Sequence, residues 1–338
     1  MPTDTADDST AQTMRALIAG RGPAWAVTEV PVPQPGPGQV LIRNRASATN
    51  NADLPMLAEA DPTSGGNGNE YVAGFEYAGE IAALGPDSGD WKIGDPVMGT
   101  FPSAFADYLV ADHRFVLPRP ESLAPEIACA LPTALLTEFG ALTVAGFQRG
   151  QSVLITGATT GIGMIGLQIA KALGASQVIT TTRSADKREL LTGLGSDAVI
   201  IAADEEELTG SVLAATNRRG VDVVLDHVAG QTFAQCLPAT AEDGHIVNIG
   251  RLAGPASSID LDALSYRHLT VHGVSFGFSR EWETVPILEG LSAEVLPAVE
   301  RGEIRPVIDS TVDVNDFQLA ADRLRSGDAV GKIVLVFG

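Results

Sequence analysis

Short apolar runs recur through the middle of the chain, separated by polar, helix-forming segments. SVLIT (152–156), QVITT (177–181), AVII (198–201), DVVLD (222–226), HIVNIG (245–250) and TVHGVSF (270–276) each have the length and β-branched content of a strand. Between them, MIGLQIAKALGA places Ile165, Ile169, Ala172 and Leu173 near one helical face, and Gly174 supplies the stop. SADKRELLTGLG reads as the next helix. Strands this apolar are covered on both faces, so the pattern over residues 133–276 predicts a parallel, doubly wound α/β sheet.

The flanking regions have a different texture. Residues 14–132 are rich in Pro, Gly and short β-type runs. PVPQPGPG is a string of chain breakers, and QVLIRNRASA, EYVAGFEYAGEIAALG, WKIGDPVMGTF and AFADYLVADHRFVLP are strand candidates bounded by Gly, Asp or Pro. This predicts a compact, mostly β unit. Residues 277–338 carry two helical stretches, LEGLSAEVLPAVERGEI and DFQLAADRLRSG, and close on GKIVLVFG, a strand expected to return to the first unit. The acidic run Asp204–Glu207 is expected at a solvated helix start, where it suits the helix dipole.

Length and charge narrow the function classes. The 338 residues suit two domains, and a hydrophobic content of 45% is ample for their cores. We find no uninterrupted run of about 18 apolar residues and expect no membrane span. The polar start, MPTDTADDSTAQT, lacks the basic and apolar regions of a secretory signal and is expected to be disordered. With 42 acidic against 22 basic residues the net charge is −20, which repels nucleic acid and anionic lipid. Cys129 and Cys236 stand in no CxxC or CxH pattern, so they encode no zinc knuckle and read as small core residues of a protein in the reducing cytoplasm. His113, His227, His245, His268 and His272 form no metal-ligand spacing and read as structural.

The sharpest motif is TGATTGIG, Thr156–Gly163, which follows one apolar run and opens a helix. Ala158, Thr159, Thr160, Gly161, Ile162 and Gly163 are candidates to cradle a dinucleotide's diphosphate on backbone N–H groups and the positive end of the helix dipole. At the end of the next strand, an acid would bind the ribose hydroxyls of NAD. The chain instead has Thr182, Arg183 and Ser184 there, with Lys187 one turn on. Two cations and a hydroxyl select the 2′-phosphate, so the cofactor is expected to be NADPH/NADP.

Taken together, PGQVLIRNRASATNNADL, GFEYAGEIAALG, GDPVMG, FADYLVADHRFVLP, ALLTEFGAL, LITGATTGIGMIGLQIAKALGA, TTRSADK, VDVVLDHVAG and GKIVLVF, in this order, resemble the medium-chain dehydrogenase/reductase superfamily, nearest its zinc-independent quinone oxidoreductase group. The resemblance runs from Met14 to Gly338. It implies a GroES-like, mostly β catalytic domain built from both chain ends (14–132 and 277–338), with a Rossmann NADP-binding domain (133–276) between them, and a homodimer. The zinc-dependent members carry Cys in the segment matching ASATNNADL and His in that matching GFEYAG. Here neither is present and Phe75 precedes Glu76, so no metal site is expected. TGATTGIG also fits the short-chain dehydrogenase turn, but no tyrosine has Lys four residues on, and that reading is rejected.

The resemblance further implies an oxidoreductase that transfers hydride to a small-molecule quinone or α,β-unsaturated carbonyl (enone or enoyl) substrate. The alternative is a non-catalytic NADPH-binding protein with a structural or regulatory role. Asn50 and Asp53 match polar positions facing the substrate, where Asn50 would stabilise charge on a carbonyl oxygen, and Tyr71 is the candidate proton donor. Thr137 matches a residue beside the nicotinamide, and Gly250 and Arg251 match the loop after a Rossmann strand that borders the cofactor. Lys332 matches a recurrent residue near the cofactor. Phe276 and Phe278 are candidates to wall the nicotinamide side.

Overall fold

The computed structural model describes residues 12–202, 208–276 and 280–338. The first eleven residues, the acidic run Asp204–Glu207 and Phe278 lie outside that set. The chain divides into two units, one of Met1–Arg119, Thr311–Gly327 and Ile333–Gly338, the other of Pro120–Ser310 and Asp328–Lys332.

In the first unit the strands are short and antiparallel, as the density of turn residues dictates. Thr13–Ala19 (β1), Ala26–Pro31 (β2), Gln39–Ala48 (β3), the helix Asp53–Ala60 (α1), Tyr71–Val72 (β4), Glu76–Leu84 (β5), Pro96–Thr100 (β6), Tyr108–Asp112 (β7) and Val116–Pro118 (β8) follow in order. β1 is flanked by β2 and β4 in a three-stranded sheet. β3, ten residues long, is paired antiparallel with both β5 and β7. Val40 and Ile42 of β3, Tyr77 and Ile81 of β5, Val97 of β6 and Leu109 of β7 are at most 1% exposed and form one core. The register of β3 on β5 shifts between Asn44 and Ala46. This irregularity comes just before β3 delivers the chain to Asn50 and the start of α1.

The second unit begins with Pro125–Ala128 (α2) and Pro132–Val144 (α3). Pro125–Val144, which contains α2 and α3, is long and apolar enough by composition to span a membrane, although polar residues interrupt it. In its most apolar 18-residue window 72% of the residues are buried inside the protein, as in a core helix. Strands then alternate with helices: Ser152–Ile155 (β9), Gly161–Ala172 (α4), Gln177–Thr182 (β10), Arg188–Gly193 (α5), Ala198–Ile201 (β11), Leu208–Ala215 (α6), Val221–Asp226 (β12), Gly230–Ala239 (α7), Thr240–Asn248 (β13), Leu261–Tyr266 (α8) and Thr270–Gly273 (β14). The six strands are all parallel, in the order β11-β10-β9-β12-β13-β14. Val153, Leu154, Ile155, Val223, Val224, Leu225, Ile246 and Val247 are fully buried, which is why those strands read as unbroken apolar runs. Strand order reverses between β9 and β12, and the crevice at their carboxyl ends is where this fold takes ligands.

The remaining elements are Glu281–Glu294 (α9), Leu296–Glu300 (α10), Ile308–Asp313 (β15), Phe317–Ser326 (α11) and Lys332–Val336 (β16). β16 pairs antiparallel with β3, setting Val334 opposite Ala48, and so closes the chain on the first unit's large sheet, β15-β16-β3-β5-β6-β8 with β7 on β3.

Candidate dinucleotide and substrate sites

The turn from β9 into α4 is held on all sides by hydrogen bonds. Gly157 adopts φ +58°, where a side chain is disfavoured. Its N–H donates to Thr181 Oγ1 at 3.0 Å, and the N–H of Ala158 donates to the Thr181 carbonyl at 3.0 Å, so β10 pins the turn. Thr160 caps α4, its hydroxyl accepting the N–H of Gly163 at 3.0 Å. A methyl on Gly163 would lie 2.9 Å from the Ala158 Cα, so only glycine lets the helix start sit this close to the turn. Ala158 is fully buried, while Thr159, Thr160, Gly161 and Ile162 form the half-buried lip. The N–H groups of Gly161 and Ile162 have no partner within the helix and point with its dipole, the arrangement that binds a phosphate. Lys332 is only 5% exposed, and the methylenes of its stem lie 3.4 Å from where a Gly161 Cβ would stand. This cradle fits the diphosphate of a dinucleotide.

One strand over, β10 ends at Thr182, whose hydroxyl accepts the N–H of Ser184 at 3.2 Å. Arg183 is exposed, and its guanidinium has no ion-pair partner among the described residues. Lys187 sits 3.2 Å from Asp186 Oδ2, and the Ser184 hydroxyl donates to Asp186 Oδ1. The hydrogen bond from Ser184, and then that from Lys187, hold the Asp186 carboxyl below the ordinary range. Asp186 is thus an acid lodged among the groups assigned to the 2′-phosphate, where the pattern of cations and hydroxyls gave no sign of it.

Under the turn lies a buried polar cluster. Thr156 Oγ1 donates to Asp226 Oδ1 at 2.7 Å, and Asp226 also accepts the N–H groups of Val228 and Ala229 and the Asn248 amide. His227 Nε2 stands 2.6 Å from Glu138 Oε1, and its Nδ1 stands 2.9 Å from the Thr156 carbonyl. Glu138 and His227 are 0% and 4% exposed. Burial opposes charge on His227, but Glu138, the Thr156 carbonyl and Asp226 outweigh it and raise its pKa. Thr137, half-buried, precedes Glu138 on α3. Gly250 packs on the His227 backbone, where a methyl would lie 2.4 Å from the carbonyl oxygen, and Arg251 beyond it is exposed. The ring of Phe276 lies against Gly140 of α3, where a methyl would stand 2.6 Å from its Cζ. Phe276 thus packs on the helix that carries Thr137.

In the first unit, Asn50, Asp53 and Glu76 converge and are all buried. The backbone N–H of Asn50 donates to Asp53 Oδ2 at 2.7 Å, and that of Asp53 donates to the Asn50 carbonyl at 3.0 Å. Asn50 Nδ2 donates to Glu76 Oε2 at 3.0 Å and to the Ala48 carbonyl at 3.4 Å. The amide expected to meet a substrate oxygen is therefore engaged with the carboxylate of Glu76, a residue outside the candidate set. Tyr71, in β4 opposite Ala19, is half-buried. Burial, then the negative charges of Asp53 and Glu59, push its phenol up to about 12. Among the described residues no three His, Cys, Asp or Glu side chains gather where a metal ion could be held.

Comparison with known proteins matches residues 36–121 to the family described as alcohol dehydrogenase GroES-like domain and residues 161–289 to that described as zinc-binding dehydrogenase. The highly reducing polyketide synthase pkhB of Emericella nidulans is 31% identical over 314 residues, 86% of this chain but 12% of that protein. Prostaglandin reductase-3 of Bos taurus is 34% identical over 228 residues, 67% of this chain and 59% of that protein. The chain thus spans under two thirds of either relative. Among solved structures, a mycobacterial quinone oxidoreductase superposes with a TM-score of 0.84 at 27% identity, covering 96% of this chain and 100% of that one. A mycobacterial protein solved with NADPH superposes at 0.82 and 28% identity, with the same coverage.

Proposed function

The chain belongs to the medium-chain dehydrogenase/reductase superfamily, and from that premise we propose that it is an NADPH-dependent, zinc-independent reductase of quinones or α,β-unsaturated carbonyl compounds. When bound, NADPH supplies a hydride from its nicotinamide ring. The N-terminus of α4, with Gly161 and Ile162 offering N–H groups, binds the diphosphate. Arg183, Ser184 and Lys187 bind the 2′-phosphate. Thr137, Gly250, Arg251, Phe276 and Lys332 line the remainder of the cofactor site, on the side chains and turns described above.

The observation that carries the cofactor choice is Arg183, an exposed guanidinium without an ion-pair partner among the described residues, one position past β10. In this fold that position faces the adenosine ribose, and an Arg there accommodates a 2′-phosphate. A solved relative that holds NADPH supports the same reading.

The zinc in the matched family's description does not fit this donor set. Asn50 presents an N–H donor to Glu76, and Phe75 offers no ligand atom. Tyr71 keeps its proton through neutral pH and serves as the donor to the reduced substrate, while Asn50 and Asp53 order the loop beside it. The similarity to a prostaglandin reductase and to a polyketide synthase favours enones and enoyl groups, and the similarity to a quinone oxidoreductase favours quinones. A homodimer and a cytoplasmic setting, which suits two buried cysteine thiols, complete the proposal.

The test is oxidation of NADPH by the purified protein against a panel of quinones and of enones or enoyl thioesters. Turnover of one class identifies the substrate. Tight NADPH binding with no turnover across both panels would instead favour a non-catalytic role.

A further inference from the structure

We infer that Glu138 and His227 act as a proton-sharing pair that positions the diphosphate turn, and that cofactor affinity depends on it. The inference rests on the NADPH reading above. Three observations carry it. First, both ring nitrogens of His227 face acceptors. The Thr156 carbonyl, 2.9 Å away, can only accept, so Nδ1 carries a hydrogen. The 2.6 Å bond from Nε2 to Glu138 Oε1 then holds one further proton, shared between imidazole and carboxyl. Removing that proton would set a buried carboxylate against an imidazole lone pair, so the pair retains it.

Second, the pair sits where segments of the cofactor site meet. Glu138 follows Thr137 on α3. The His227 side chain holds the carbonyl of Thr156, the residue before Gly157, and its N–H donates to the Thr156 hydroxyl at 3.0 Å. Its carbonyl accepts the N–H of Leu252 at 3.3 Å in the loop of Gly250 and Arg251. Asp226, bound to the same Thr156 hydroxyl, is the neighbouring charge.

Third, the fold makes room for a carboxyl group that it does not fully satisfy. Glu138 Oε2 is buried without a hydrogen-bond partner among the described residues, and a methyl on Gly166 of α4 would lie 2.1 Å from it. An apolar pair of similar volume would serve packing as well or better. What the ionisable pair adds is direction, fixing the carbonyl that begins the turn relative to α3 and α4.

The experiment compares NADPH binding and steady-state kinetics of the wild type, the double variant Glu138→Leu/His227→Phe, and Glu138→Gln. The double variant replaces both partners at once and strands neither. We expect its Kd and KM for NADPH to rise about tenfold, with kcat at saturating NADPH changing less than about threefold. Glu138→Gln, which keeps a hydrogen bond to Nε2, should return affinity to within about threefold of wild type. A double variant that binds NADPH as tightly as wild type overturns the inference. Should it not fold, the wild type labelled with ¹⁵N-histidine decides the matter. One imidazole should show an exchange-protected Nδ1–H and a second protected, strongly downfield proton in its Nε2 bond to Glu138, both shifting on saturation with NADP; no such second proton, or one indifferent to NADP, overturns it. A wild type that binds neither NADPH nor NADP overturns the cofactor reading and this inference with it. A wild type that binds, beside a double variant that binds equally, overturns this inference alone.

Discussion

The ammonium of Lys187 stands 3.2 Å from Oδ2 of Asp186, so one of the two cations at the end of β10 is already neutralised by its neighbour. Arg183 is not. The discrimination between NADPH and NADH should therefore fall mainly on Arg183. Arg183→Ala should weaken NADPH binding by about tenfold or more, the equivalent of a charged hydrogen bond, while leaving NADH binding nearly unchanged. Fluorescence titration with both nucleotides checks this, and equal losses for the two would remove the assignment.

Asp186 should act in the opposite direction. Its carboxylate competes with a 2′-phosphate for Lys187 and Ser184, and it has nothing to offer that phosphate. Asp186→Asn should raise the preference for NADPH over NADH by about two- to threefold, a small effect because the group is exposed and screened. The ratio of the two Kd values at low and moderate salt is the measurement; a preference that falls would show that the acid helps to hold the cofactor.

Gly163→Ala tests the cradle itself. The added methyl would meet the Ala158 Cα at 2.9 Å, so the helix start must move away from the turn. We expect a stability loss of ~1–3 kcal/mol and weaker binding of both nucleotides alike. Thermal melting with and without NADPH separates the two effects.

These positions differ in how far they can be read without coordinates. TGATTGIG is legible because its geometry is local, with glycines, a capping threonine and the helix start all within eight residues. The central strands β9 and β12 are legible because burial on both faces keeps Val153, Leu154, Ile155, Val223, Val224 and Leu225 out of water. β13 begins at Thr240, well before the HIVNIG run, because the parallel ladder from β12 reaches back to pair Val221 with Thr240. β14 stops at Gly273, short of Phe276, where its pairing with β13 ends. Glu138 and His227 are 89 positions apart, and nothing local marks the first as more than an acid in an apolar helix. Glu76 is likewise defined by Asn50 across 26 positions. Contacts of this kind belong to tertiary structure, which a pattern of apolar and polar positions does not encode.

Tyr71 carries the proton-donor proposal. Because burial and the nearby acids push its phenol up to about 12, it stays protonated across the working range, and no alkaline limb from this group should appear below about pH 11. Tyr71→Phe should lower kcat by about a hundredfold with little change in KM for NADPH. An unchanged kcat would transfer the role to water or another group.

Asp222 sets an acid limit on stability. Burial alone would raise its pKa, but bonds from Arg219 and from Ser152, whose N–H and hydroxyl lie at 2.6 and 2.7 Å, hold it down to about 2. A folded value below the unfolded one of about 3.9 gives stability that is present above pH ~4 and is lost as pH falls towards 2. After allowance for solvent screening, Asp222→Asn should cost ~1–2 kcal/mol at pH 7 and little at pH 2. Urea midpoints across that range report the difference.

The central claim is that the turn and the basic residues beyond β10 form a site for a phosphorylated nicotinamide nucleotide. Calorimetric titration of the wild-type protein with NADPH and then with NADH tests it most directly. The expected result is saturable binding of NADPH at least about tenfold tighter than that of NADH. Equal affinities would contradict the cofactor choice, and no heat from either nucleotide would contradict the site.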